Sequence, residues 1–462
     1  MALPLLLLGL APLLASSQST PLTILPSQTH QTIDGFGISQ AFQRAVTIRA
    51  LPAPEARRAL DLLFHPTAGA ALSILRNGIG SSPDMRDDHM VSIQPRNPGG
   101  PGATPKYVWD GDDNGQLWVA SEAVHTYGVR AVYANAWSAP GYMKTNGNDA
   151  NGGTLCGVPG ASCGSGDWRK AYAEYLVQYI RYYAAANITV THLGFVNEPD
   201  LTTSYASMRM NPQQAGNFMG VLRGVVAASG LGTKPMLTCC DTMAWSAAGG
   251  YVSAAAPDVG TGHAYTSAPT SPLKGKAWMT EAADNNGAWT AAWYANGGAG
   301  EGWTWANNVH AALTQGNVSA YFYWVGAQDR SSNTNSKLIR VVGSGEGKKV
   351  EASKRLWAMA GWSRFVRPGA VRVGVEGVGS SGLKVTGFKG TEGEVVVVVV
   401  NGGAAERGVT VGVQGGFVVG KAEVWVTDGR RDLERGEVKV EGGKAVGSVP
   451  GRGMVTFVLR GV

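Results

Sequence analysis

The sequence predicts an α/β fold, a (β/α)8 TIM barrel with a side β-sandwich domain, on three observations. Short apolar strand patterns alternate with helical patterns from Asp34 to Gly326, as in a parallel sheet wound by helices. Beyond Arg367-Pro368-Gly369 the helical periodicity fades, and valine-rich strands recur between glycine-rich turns. At 462 residues the chain also exceeds the size at which a single core stops growing. The expected division is a leader at residues 1–17, strands at 18–31 joining the sandwich, a barrel at 32–364 and a C-terminal sandwich at 365–462.

In chain order, Met1–Ser17 is a leucine-rich run ending in the small residues Ala15-Ser16-Ser17. It is too short for a permanent membrane span and reads as a secretory signal peptide, so a secreted, extracellular protein is expected. Leu22–Leu25 and Gln31–Ile33 are short strand pieces. Barrel strands are expected at Asp34–Ser39, Ala71–Gly80, Arg130–Ser138, Val190–Asn197, Pro235–Thr242, Val259–Tyr265, Lys276–Glu281 and Ser319–Gly326. The clearest helix is Asp167–Tyr183, where Tyr172, Tyr175, Leu176, Tyr179 and Tyr183 share a face behind an N-cap at Asp167. Pro54–Phe64 and Pro212–Ala228 are similar. Sandwich strands are expected at Val371–Val375, Leu383–Phe388, Glu394–Asn401, Val409–Val413, Ala422–Thr427, Glu437–Val440 and Met454–Leu459. The six-valine run Val395–Val400 would aggregate if exposed, so it should be a central strand covered on both faces.

Four cysteines suit an oxidising compartment. A disulfide between Cys156 and Cys163 would pin a short loop, whereas the adjacent Cys239 and Cys240 are expected as buried thiols rather than a vicinal bridge. Asn187 and Asn317 are N-glycosylation acceptors. The formal net charge of +6 suits an acidic polymer but does not indicate nucleic acid. Asp110-Gly111-Asp112-Asp113-Asn114-Gly115 starts like a calcium loop, yet its twelfth position is Ser121, so an Asx turn is the better reading. No zinc-protease, phosphate-loop or serine-hydrolase signature is present, and neither metal nor cofactor is expected.

Chemistry points to two glutamates. Pro199 ends the fourth strand and leaves Asn197 and Glu198 at its C-terminal end, where a barrel builds its active site. Glu281 ends the seventh strand in the same way. Two glutamates on separate strand ends are the minimum equipment of a retaining glycosidase, one as nucleophile and one as acid/base.

The chain resembles glycoside hydrolase family 30, and within it the fungal xylanases of subfamily 7. The segments that carry the resemblance are GFGISQAFQRA (35–45), LSILRNGIGSSPD (72–84), ANAWSAPGYMKTNG (134–147), NGGTLCG (151–157), HLGFVNEPDLTTSYASM (192–208), TGHAYTS (261–267), WMTEAAD (278–284) and RFVRPGAVRV (364–373). The resemblance implies Glu198 as acid/base, Glu281 as nucleophile, and Asn197 bonding the 2-hydroxyl of the sugar. Arg76, ending strand two, is expected to hold Glu281 ionised. Trp137 and Trp324 are expected as apolar platforms for sugar rings, with His263, Tyr265 and Tyr205 within reach of the nucleophile or the sugar. Arg44 is a candidate clamp for the glucuronic acid branch of xylan. The implied substrate is plant cell-wall xylan, acted on by a monomer without nucleic-acid or membrane partners. β-1,6-Glucanase, β-1,6-galactanase and an inactive carbohydrate-binding protein are the rival readings.

Overall fold

The computed structural model describes residues 19–329 and 332–462, so the expected leader lies outside the described residues. Eight parallel strands form the barrel: Gly35–Ser39, Ile74–Ile79, Ala131–Ala136, His192–Gly194, Met236–Thr242, Val259–His263, Ala277–Glu281 and Ala320–Gln328. The eighth pairs with both the first and the seventh, which closes the ring. Ile74, Tyr133, Val259, Trp278, Ala320 and Phe322 fill its interior. Trp278 anchors this plug by donating from Nε1 to Asp34 Oδ2 at 2.8 Å. The barrel is therefore packed through, and chemistry is confined to its mouth.

Two local expectations need correction. The fourth strand holds its ladder only over His192–Gly194, not Val190–Asn197. Beyond Gly194 side chains take over from the neighbouring strands: Tyr172 donates to the Phe195 carbonyl and Asn135 to that of Val196. Gly194 permits this, because a Cβ there would collide with the Asn135 side chain. The tyrosine-faced helix starts at Arg169 with Trp168 at its cap, and Asp167 instead bonds the Arg169 amide and guanidinium. By contrast, Asn211 and Gln214 form a reciprocal capping box on the helix Pro212–Ala228.

The second domain is one ten-stranded sheet that curls on itself. The N-terminal strand Thr20–Thr32 lies within it, antiparallel to Val371–Glu376 and parallel to Arg407–Val413. It is one bulged strand rather than two pieces. Strand Asp432–Arg435 escaped the valine-run criterion because it is short, charged and largely exposed, and Lys444–Val449 because only Ala445 and Val449 of its residues are buried. Val395–Val400 lies between Leu383–Lys389 and Met454–Gly461. Its valines alternate between two cores: 395, 397 and 399 face the inside of the sandwich, while 396, 398 and 400 join the cluster that includes the barrel helices. The domain seam is therefore a packed core, reinforced by Trp303 Nε1 donating to the Asn401 carbonyl at 3.1 Å and Thr456 to that of Gly361 at 2.7 Å.

Cys156 and Cys163 form a disulfide. Cys239 and Cys240 are also bonded to each other, against the expectation of thiols, and both are buried within the fifth strand. No helix among the described residues is long and apolar enough to cross a membrane. Asp110 makes the Asx turn, its Oδ1 accepting from the amides of Asp112 and Asp113.

Candidate active site

A cleft of about 1100 Å³ opens at the C-terminal ends of the barrel strands. Glu198 and Glu281 meet in it: one carboxylate oxygen of each, with a ring nitrogen of His263, all lie within 4.8 Å of one another. Both carboxylates are about 5% exposed. Glu198 sits just past the fourth strand with φ of 47°, in the left-handed region, and its amide donates to the Asp241 carbonyl at 2.8 Å. A non-glycine residue held there is typical of a functional site, since surrounding bonds must compensate the strain.

Charge in the site is organised by Arg76, which is fully buried. Its guanidinium touches Glu281 Oε2, donates to Asn197 Oδ1 at 2.6 Å and to Asp241 Oδ2 at 2.7 Å, and lies 4.5 Å from the Trp137 ring. Asp241 escaped the sequence reading. Its Oδ2 also accepts from Tyr133 and Asn135, both at 2.8 Å, and its Oδ1 from Thr280 at 2.7 Å. Burial acts to raise the Asp241 pKa, but Arg76 and His263 hold the carboxyl well below the usual range. The available signal was an acidic residue inside the apolar strand Met236–Thr242.

His263 Nδ1 donates to Glu198 Oε1 at 3.0 Å, and its Nε2 stands 3.7 Å from Glu281 and 3.9 Å from Asp241. Burial pulls its pKa down, yet the surrounding carboxylates of Glu281, Asp241 and Glu198 raise it to about 10. Tyr265 donates to Glu281 Oε1 at 2.8 Å. Burial pushes the Glu281 carboxyl up from its ordinary value, against the opposing pull of His263 and Arg76. Two cations, Arg76 and His263, thus face the carboxyls of Asp241, Glu281 and Glu198. Glu198, His263 and Glu281 have the spacing of a metal-ligand group. With His263 protonated and Arg76 already on Glu281, the positive charge there is supplied by protein.

The other expected residues line the same cleft, in different roles. Tyr205 reaches Glu198 Oε2 only at 3.4 Å. Trp324 is half-buried beside Trp137 and Phe42, with ring centroids 5.8 and 6.2 Å away. Trp137 is only 2% exposed, so it forms floor beneath Arg76 more than an open platform. Arg44 lies at the margin, where its guanidinium is ion-paired with Asp88. Asp88 was not anticipated: the loop Ser81–Trp109 was expected to close one side of the cleft, but nothing along the chain pairs Asp88 with Arg44.

Two carboxylates opposed across a cleft at barrel strand ends can address one glycosidic bond from both sides, the frame of a glycoside hydrolase. Residues 119–230 match the glycosyl hydrolase family 30 TIM-barrel domain, and residues 369–457 match the family 30 β-sandwich domain. The structure superposes on the catalytic domain of the family 30 xylanase C from Talaromyces cellulolyticus with a TM-score of 0.87 and 40% identity, covering 95% of this chain and all of that one. The chain belongs to glycoside hydrolase family 30. It is 24% identical to glucuronoxylanase XynC of Bacillus subtilis over 71% of this chain and 74% of that protein. It is 27% identical to endo-1,6-β-D-glucanase BGN16.3 of Trichoderma harzianum, across 44% of this chain and 42% of the relative's length. The chain thus spans less than half of that relative.

Proposed function

We propose that this glycoside hydrolase is a secreted enzyme that cleaves the β-1,4-xylosidic bonds of xylan, glucuronic acid-branched xylan included, with retention of configuration. The observation that carries the mechanism is the approach of Glu198 and Glu281, since a retaining pair stands about 5–5.5 Å apart, too close for an intervening water. Glu281 attacks the anomeric carbon, the bond to the leaving oxygen breaks, and that oxygen takes the proton of Glu198. Water then gives a proton to Glu198 and its oxygen to the anomeric carbon, releasing Glu281. Arg76 and Tyr265 each hold one oxygen of Glu281 and so fix the attacking direction. With its Oδ1 bonded to Arg76, Asn197 keeps its amide NH2 free for the 2-hydroxyl of the sugar.

Similarity to the Talaromyces xylanase and the Bacillus glucuronoxylanase supports xylan, whereas the Trichoderma match keeps a β-1,6-glucan activity as the rival. The deciding experiment compares products from glucuronoxylan, linear xylan and β-1,6-glucan, with proton NMR of the first anomer released. Xylo-oligosaccharides released initially as the β-anomer support the proposal. Release from β-1,6-glucan alone, or an initial α-anomer, refutes it. Glu281→Gln should lower kcat by roughly 10⁴-fold or more while polysaccharide binding persists. Arg44→Ala should slow cleavage of glucuronoxylan and spare linear xylo-oligosaccharides; equal losses on both would remove the clamp.

A further inference from the structure

We propose that the seam between the barrel helix Gly302–Thr314 and the sandwich contains an oxyanion-binding site built on Arg372, which takes a carboxylate or a phosphate. The groove there has a volume of about 290 Å³, near the lower end for small-ligand pockets, and is lined by Gln28, His30, Thr314, Arg372 and Thr386. It stands apart from the catalytic cleft and shares none of its lining residues.

Arg372 is only 9% exposed, yet every partner it has is neutral. Its Nε donates to Gln31 Oε1 at 2.7 Å and its Nη2 to Asn317 Oδ1 at 3.3 Å. Among the described residues its Nη1 makes no side-chain hydrogen bond, and that atom is open to solvent rather than sealed in the core. A buried guanidinium is normally matched by a carboxylate, because desolvation of the charge is otherwise uncompensated. Here the titratable groups nearby are basic instead: Lys384 carries charge, and the imidazoles of His30 and His310 are held neutral. Burial lowers the pKa of Arg372 to about 10. His30 is lowered by burial and by Arg372, and His310 falls to about 4 through burial with Lys384 and Arg372. Lys384 is lowered by burial. No carboxylate contributes to any of these four shifts.

The C-terminal end of the helix does not supply the missing anion directly. Its carbonyl at Leu313, and that of Val318 just beyond, already accept from Gln31 Nε2 at 2.8 and 3.0 Å. Arg372 therefore meets the negative pole only through a neutral amide. His310 Nδ1 is engaged with Thr386 Oγ1 at 2.8 Å, which sets a hydroxyl on the groove wall. An oxyanion would complete the arginine fork and offset the charge that Arg372 and Lys384 leave unmatched.

The test uses the full-length chain carrying Glu281→Gln, so that no turnover intervenes. Sodium glucuronate, inorganic phosphate and neutral methyl glucoside are each titrated by calorimetry into this parent, into the same protein with Arg372→Gln, and into one with His30→Ala and Lys384→Ala. The expected result is binding of at least one anion, weakened roughly tenfold by Arg372→Gln and several-fold by the double substitution of His30 and Lys384, with methyl glucoside unaffected by either. Binding of glucuronate but not phosphate assigns the site to uronic acid groups; the reverse assigns it to free phosphate. Arg372→Gln is checked by circular dichroism, and if it does not fold the His30 and Lys384 double variant alone decides. Neither anion binding, or anion affinity unchanged in every folded variant, overturns the proposal.

Discussion

Replacing Asp241 by Asn tests the charge arrangement of the site with little change of shape. In the native cluster Asp241 Oδ2 accepts from Arg76, Tyr133 and Asn135, and these bonds survive if the amide oxygen takes that position. The amide nitrogen then faces Thr280 Oγ1, whose hydroxyl turns to the Gly262 carbonyl, already 3.4 Å away. What is lost is one negative charge opposite a fully buried guanidinium. Breaking a buried ion pair costs about 3–5 kcal/mol, and with the hydrogen bonds retained we expect about 3 kcal/mol in denaturant-induced unfolding. Activity should respond in a way that lost stability alone does not produce. With one anion removed, Arg76 and His263 act more strongly on Glu281 and lower its pKa. The acid limb of kcat/KM therefore moves to lower pH, while kcat falls because a better stabilised carboxylate is a weaker nucleophile. Asp241→Ala should be more destabilising, since it leaves the donors of Tyr133, Asn135 and Arg76 without an acceptor. An Asp241→Asn protein with stability within 1 kcal/mol of the parent and an unmoved acid limb would refute the reasoning.

Other expectations follow from single contacts. Tyr265→Phe removes a 2.8 Å bond to Glu281 and should reduce kcat roughly 10- to 100-fold, whereas Tyr205→Phe, at 3.4 Å from Glu198, should change it less than about threefold; initial rates on xylo-oligosaccharides compare them. Asp113 is buried beneath the hydroxyls of Tyr179 and Tyr183, and burial raises its pKa to about 7. Its folded-state pKa exceeds the unfolded one, so its contribution to stability is full below about pH 4 and is lost as pH rises to about 7, at roughly 1.4 kcal/mol per unit. Asp113→Asn should flatten that slope in urea unfolding measured across this range. Converting Cys156 and Cys163 to serine opens a loop with sequence separation 7 and should cost about 2 kcal/mol of unfolding free energy, read in the same urea experiment.

Several features were legible because they rest on local chemistry. The alternation of strands and helices gives the barrel, and Pro199 marks the loop after the fourth strand that carries Glu198, although the ladder itself ends earlier, at Gly194. The valine run has a period compatible only with burial on both faces, which is how Val395–Val400 sits between two cores. The tyrosine stripe likewise fixed a buried helix face, although Asp167 failed as its cap because the backbone turns helical only at Arg169. Cys239 and Cys240 resisted a local reading, since adjacent cysteines in a strand are chemically consistent with either thiols or a bridge.

The sequence by itself determined that two glutamates stand at strand ends and that an asparagine precedes one of them, because strand period and chain-breaking residues act over a few positions. Only the tertiary structure decided which charges surround them. Asp241 reaches Arg76 across the barrel, Asp88 reaches Arg44 from a loop, and Trp137 sinks beneath a guanidinium. Electrostatic interaction depends on distance through space and on the water that folding excludes, and neither quantity is written in the spacing of residues along the chain.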